Sequence, residues 1–79
     1  MNSSKTIILE GAVEEALPNT TFRVKVEDEE HPEFNGKIVL CYLSGRMRIH
    51  YIKIMPGDKV RFEMTSYDPG KGRITYRFK

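Results

Sequence analysis

The sequence predicts an all-β domain: five strands closed into a small barrel, with a short helix between the third and the fourth. Three observations predict it. Apolar and charged residues alternate in segments 21–27, 58–65 and 73–78, the pattern of strands with one buried face. Turn-forming clusters punctuate the chain at Leu17-Pro18-Asn19-Thr20, Asn35-Gly36, Pro56-Gly57-Asp58 and Asp68-Pro69-Gly70. One stretch, residues 44–53, drops the alternation for helical spacing. Closure suits short amphipathic strands because it removes exposed sheet edges. A chain of 79 residues supports a single domain with a thin core, here residues 1–79.

The elements follow in order. Residues 6–15 carry Ile7, Leu9 and Val13, with Glu10, Ala12 and Glu14 between them, and Gly11 marks an expected bend or bulge. In residues 21–27, Phe22, Val24 and Val26 point one way and Arg23, Lys25 and Glu27 the other. Residues 27–36 form an acidic loop expected to face solvent or a protein. Residues 37–43 are almost continuously apolar, so this strand is expected to be covered on both faces. Ser44 can cap a helix. Met47 with Tyr51, and Arg48 with Ile52, are four apart and meet on one helical face. Residues 58–65 turn Val60, Phe62 and Met64 inward, and residues 67–72 read as a turn. Residues 73–78 are expected to bury Ile74, Tyr76 and Phe78 and expose Arg73, Thr75 and Arg77. Three strands, a helix, then two strands is the order of an OB-type barrel, whose helix plugs one end. An SH3-like barrel sets its helical turn before the last strand and fits this order less well.

The charge is divided. Residues 1–36 hold three Lys/Arg against eight Asp/Glu, −5, and residues 37–79 hold ten against three, +7. Arg46, Arg48 and Lys53, with His50 among them, crowd into the predicted helix and its exit. Such a field points to a polyanion, nucleic acid foremost, with an ordinary solvated face as the other reading. Arg23, Lys25, Lys59, Arg61, Arg73 and Arg77 alternate with core residues on the strands, and Lys71 rides on the last turn. Arginine brings a planar fork for phosphate oxygens and can stack on bases. Tyr51 and Tyr67 offer stacking faces, although Tyr51 could equally pack beneath the barrel.

Catalytic constellations are scarce, and no enzyme and no cofactor are expected. Cys41 with His50 is too small a donor set for a metal, and His31 stands in a loop without a metal-binding ligand pattern. No serine or threonine has a partner that marks a nucleophile. Gly70-Lys71-Gly72 lacks the spacing of a phosphate loop. Cys41 cannot form an internal disulfide and reads as a small buried hydrophobe. The polar start Met1-Asn2-Ser3-Ser4-Lys5 has no signal-peptide or transit character, and nothing reaches membrane-span length.

Three blocks carry a family resemblance. Residues 11–24, GAVEEALPNTTFRV, resemble the first hairpin of the bacterial translation initiation factor one family. Residues 44–54, SGRMRIHYIKI, followed by PGDKV at 56–60, resemble its helix and fourth strand. Residues 67–74, YDPGKGRI, resemble its last turn and strand. The resemblance implies an OB fold bound to the small ribosomal subunit at the decoding (A) site, without catalysis, assisting the other two initiation factors in placing initiator tRNA. It implies that Asn19 and Thr20 enter the minor groove of the decoding helix. It also implies that Arg48 and Lys53 touch 16S-type rRNA, with Arg46, Lys71 and Arg73 on the same side and a ribosomal protein bordering the site. Arg23, His50, Tyr51 and Arg77 complete the expected rRNA-binding set. The chain departs from the family in its longer acidic loop, and in Lys53, where the family often has arginine. The resemblance to the bacterial members, without the long charged tails of archaeal and eukaryotic relatives, favours a bacterial or plastid source; a monomer is expected, in the cytoplasm or a plastid stroma. A cold-shock-like single-strand chaperone is the alternative. It needs surface aromatics on adjacent strands, and the placement of Phe22, Phe62 and Phe78 on apolar faces argues against it. An adaptor using the acidic loop is a further reading.

Overall fold

The computed structural model describes residues 6–50, 53–65 and 67–78. Five strands form one closed barrel in the order β1-β2-β3-β5-β4, with β4 returning to pair with β1. They are β1 (Thr6–Leu17), β2 (Thr21–Val26), β3 (Ile38–Leu43), β4 (Lys59–Thr65) and β5 (Asp68–Arg77), with helix α1 (Gly45–Ile49) between β3 and β4. Among the described residues, only β3 and β5 pair in parallel. This is the OB-type barrel expected from the element order.

The period-two pattern sets the core. Leu9, Val13, Phe22, Val24, Val26, Val39, Cys41, Val60, Phe62, Met64 and Ile74 fill the interior, and Met47 of α1 closes one end. Ser44 caps α1, its Oγ accepting from the Met47 N–H at 3.3 Å, and its own N–H donates to the Ile74 carbonyl at 2.9 Å. The cap therefore ties the helix to β5. Burial pushes the Cys41 thiol up to about 12, so it remains a protonated hydrophobe at neutral pH. Met55-Pro56-Gly57-Asp58 is a turn closed by the Asp58 N–H on the Met55 carbonyl, 3.0 Å, with Gly57 at φ 94°. Proline followed by a positive-φ glycine is the type II arrangement.

The structure corrects five expectations. The irregularity in β1 falls between Val13 and Glu15, not at Gly11. Gly11 has another task. It pairs with Val60 on one side and Val26 on the other, where β1 passes from β4 to β2, and a Cβ there would lie 2.5 Å from the Lys25 carbonyl oxygen. Second, β3 is not covered on both faces. Val39, Cys41 and Leu43 are buried, while Ile38, Leu40 and Tyr42 face out. A barrel has one interior, and α1 plugs its end rather than covering the outer face of a strand. Third, residues 68–72 are not a turn but the start of β5, paired in register from Leu40↔Lys71 to Leu43↔Ile74. Gly72 fits because it faces inward, where a Cβ would meet Phe62 Cδ2 at 2.9 Å. Fourth, Tyr76 is not buried. Arg61 pairs with Tyr76 but Phe62 pairs with Ile74, so Thr75 is an extra residue that rolls Tyr76 outward. Its ring packs edge-on to Phe78, and the Arg61 guanidinium lies over both, 5.5 and 5.1 Å from their centroids.

Fifth, the acidic loop is not merely a solvated tip. Glu27, Glu29, Glu30 and Glu33 do face solvent, but Asp28 is buried and Phe34 packs against the core. Asp28 accepts from the Glu10 N–H at 3.0 Å and the Glu30 N–H at 2.8 Å, and its own N–H donates to Asn35 Oδ1 at 2.7 Å. Pro32–Phe34 is a 3₁₀ turn, and the Gly36 N–H donates to the Val26 carbonyl. The loop is thus stitched to β1 and β2.

Candidate nucleic-acid interface

The hairpin from β1 to β2 is built on unusual backbone. Asn19 and Thr20 both have positive φ, 66° and 59°. Asparagine tolerates this region, but a β-branched threonine there is an outlier. The Thr21 hydroxyl donates to the Pro18 carbonyl at 2.8 Å and holds the turn. Strain of this kind costs on the order of 1–3 kcal/mol and collects at functional sites.

The turn does not stand alone. Thr20, Arg48 of α1 and Lys53 line one cavity of about 300 Å³, floored by Phe22, Leu43, Met47 and Ile54. Met47 and Ile54 are buried, so packing sets the backbone positions of Arg48 and Lys53 next to them. Arg46, Arg48 and His50 are exposed, and the His50 N–H closes α1 on the Arg46 carbonyl at 3.1 Å. Lys53 is exposed beyond the helix, while Tyr51 lies outside the described residues. Among the described residues, Arg46, Arg48, Lys53 and Lys71 form no ion pair.

The strand arginines differ. Arg23 pairs with Glu15, Arg73 with Glu63 at 2.7 Å, and Arg77 with Asp58 at 3.6 Å. Their carboxylates reduce the local field but hold each guanidinium in place. Lys71 and Arg73 share a second cavity of about 330 Å³ with Tyr42, Glu63, Thr65 and Asp68. Register places Arg23 opposite Leu40, and Leu40 opposite Lys71, so Arg23 and Lys71 flank β3 on the same outer face. The structure therefore gathers Thr20, Arg48 and Lys53 at the helix end, and Lys71 and Arg73 on the sheet face. Arg77 joins neither group and sits against Asp58.

Two surface aromatics are missed by the sequence reading of this interface. By pattern, Tyr42 belongs to a covered strand and Tyr76 to the core. Nothing in the alternation signals the extra residue at Thr75, and only register reveals it. Among the described residues, no group of three or more His, Cys, Asp or Glu side chains is placed to hold a metal ion.

The arrangement presents exposed cations on a packed scaffold, a chemistry suited to phosphate. Comparison with known proteins gives the family. Residues 3–79 match the family model described as translation initiation factor 1A / IF-1. The fold is similar to the solution structure of translation initiation factor one from the Wolbachia endosymbiont strain TRS of Brugia malayi, at 37% identity and a TM-score of 0.70. That match covers 94% of this chain and 79% of that one. It is also similar to part of YjeQ from Thermotoga maritima, at 33% identity and a TM-score of 0.63, covering 92% of this chain and 23% of that one.

Proposed function

The chain belongs to the translation initiation factor 1A / IF-1 family and is a bacterial-type translation initiation factor, and from that premise we propose that it binds the decoding (A) site of the small ribosomal subunit. There it assists the other two initiation factors in placing initiator tRNA and catalyses no reaction. It acts as a monomer, in the cytoplasm or a plastid stroma. Its contacts are the 16S-type rRNA and a neighbouring ribosomal protein.

One observation carries this reading: the strained Thr20 turn and two cations that form no ion pair among the described residues, Arg48 and Lys53, converge on one cavity. A-form major grooves are too narrow for side chains, so contacts fall on phosphates, 2′-hydroxyls and unstacked bases. Asn19 and Thr20 project into a minor groove, while Arg48, Lys53 and Arg46 neutralise phosphates around it. Lys71 and Arg73 extend the contact along the sheet.

The test is binding of Arg48→Ala and Lys53→Ala variants to purified small subunits. Each loses a charged hydrogen bond, about 1.5 kcal/mol or more, and so weakens affinity more than tenfold. Each also lowers the slope of log affinity against log salt by about 1. Both residues are exposed, so thermal midpoints are unchanged. Normal binding by both variants contradicts the assignment. Thr20→Gly separates strain from contact. It relieves the positive-φ threonine and raises stability by about 1 kcal/mol, read by denaturant midpoint, while subunit affinity falls. A cold-shock-like chaperone would instead prefer an unstructured oligonucleotide to the subunit.

A further inference from the structure

The outer face of β3 is unlike that of its neighbours. β2 turns Thr21, Arg23 and Lys25 outward, and β5 turns Lys71 and Arg73 outward. β3 turns out Ile38, Leu40 and Tyr42, exposed by 47%, 39% and 42%. Alternate residues on a strand lie about 7 Å apart, so the three form a continuous apolar stripe. Register gives its borders. Lys25 stands beside Ile38, Arg23 and Lys71 on either side of Leu40, and Thr21 and Arg73 on either side of Tyr42. Of these cations, Lys25 and Lys71 form no ion pair with any described residue. At its Tyr42 end the stripe opens into the cavity shared by Lys71, Arg73 and Thr65.

We propose that this stripe docks an acidic, leucine- or phenylalanine-bearing segment of a partner protein, with apolar side chains on Ile38 and Leu40 and a carboxylate beside Lys25. The chemistry of the stripe selects that occupant. Single strands stack their bases on aromatic rings, and two of the three stripe residues are aliphatic. Phosphate gains nothing from covering an isoleucine and a leucine, whereas a protein segment buries them. The basic borders then favour a segment of opposite charge. This surface borders the RNA contacts of Lys71 and Arg73 and is additional to them and to those at the helix end, since Ile38, Leu40 and Lys25 serve none of them.

The test titrates the full chain, labelled at its isoleucine and leucine methyls, with three probes. The first is a twelve-residue peptide alternating Asp/Glu with Leu and Phe. The second has serine at every apolar position. The third is an RNA hairpin with the decoding-site helix. The docking stripe predicts that the first peptide shifts the Ile38 and Leu40 methyls and binds at least tenfold tighter than the serine peptide. It predicts that Ile38→Thr with Leu40→Thr, which places β-branched side chains at both positions, reduces that affinity at least tenfold and leaves small-subunit binding unchanged. Failure of the first peptide to bind, or equal binding of the two peptides, overturns the proposal. Displacement of the same methyls by the hairpin, with loss of hairpin affinity in the double variant, also overturns it by assigning the stripe to RNA. The methyl titration of the unaltered chain gives its answer even if the double variant does not fold.

Discussion

Gly11→Ala is expected to destabilise the barrel by about 3 kcal/mol or more, the upper range for overpacking. The new Cβ would lie 2.5 Å from the Lys25 carbonyl oxygen and 2.9 Å from Val24 Cγ1. The first of these is backbone, held in register by the β1–β2 pairing, and no rotamer change can relieve the clash. β1 must separate from β2 at the point where it also serves β4, so two pairings suffer together. A domain of this size has a total stability of roughly 4–12 kcal/mol, so the loss is a large share of it. Gly70→Ala is the internal control, since nothing lies within 4 Å of its Cβ position. Equilibrium urea unfolding of both variants reads the difference directly. Equal midpoints would show that β1 can move away from β2 without cost.

The second large effect falls on the acidic loop. Asp28→Ala is expected to cost about 2–3 kcal/mol, because the partly buried Glu10 N–H loses a charged acceptor and the Glu30 N–H loses its turn. Burial alone would push the Asp28 carboxyl up. The backbone N–H groups of Glu30 and Glu10, with His31 beside it, outweigh burial and hold it below its ordinary 3.8. The sign follows from linkage. A carboxyl whose folded value is depressed contributes stability above its unfolded value, and that contribution disappears as pH falls through the folded one. The unaltered chain should therefore lose stability on acidification below about pH 3.8 more steeply than Asp28→Asn. Thermal midpoints from pH 7 to pH 2 measure this. Parallel curves for the two proteins would mean that the carboxylate does not anchor the loop.

Much of the barrel was legible because its strands each have one buried face. Val24, Phe62 and Ile74 announce the interior by alternation, and Ser44 announces the helix that follows it. Legibility failed where a residue's environment depends on partners distant in sequence. Gly11 reads as a bend, but its reason is a carbonyl at Lys25. Tyr76 reads as core, but one extra residue at Thr75 reverses it. In β3 the apolar run could not reveal whether a second layer covers it, and the exposed Ile38, Leu40 and Tyr42 show that none does. The candidate site was legible as chemistry and less so as geometry. Clustered cations at 46–53 were visible in the sequence. The convergence of Thr20 with Arg48 and Lys53 needed the fold, as did the pairing of Arg23, Arg73 and Arg77 with carboxylates.

On the proposed function, cations at the helix end and sheet face of this barrel recognise folded small-subunit RNA. Co-sedimentation with purified small ribosomal subunits over a range of salt, with and without antibiotics that occupy the decoding site, tests it most directly. Saturable binding is expected that weakens steeply with salt, as released counterions require, and that the antibiotics displace. Binding that ignores both salt and the antibiotics, or no binding at low salt, would contradict it.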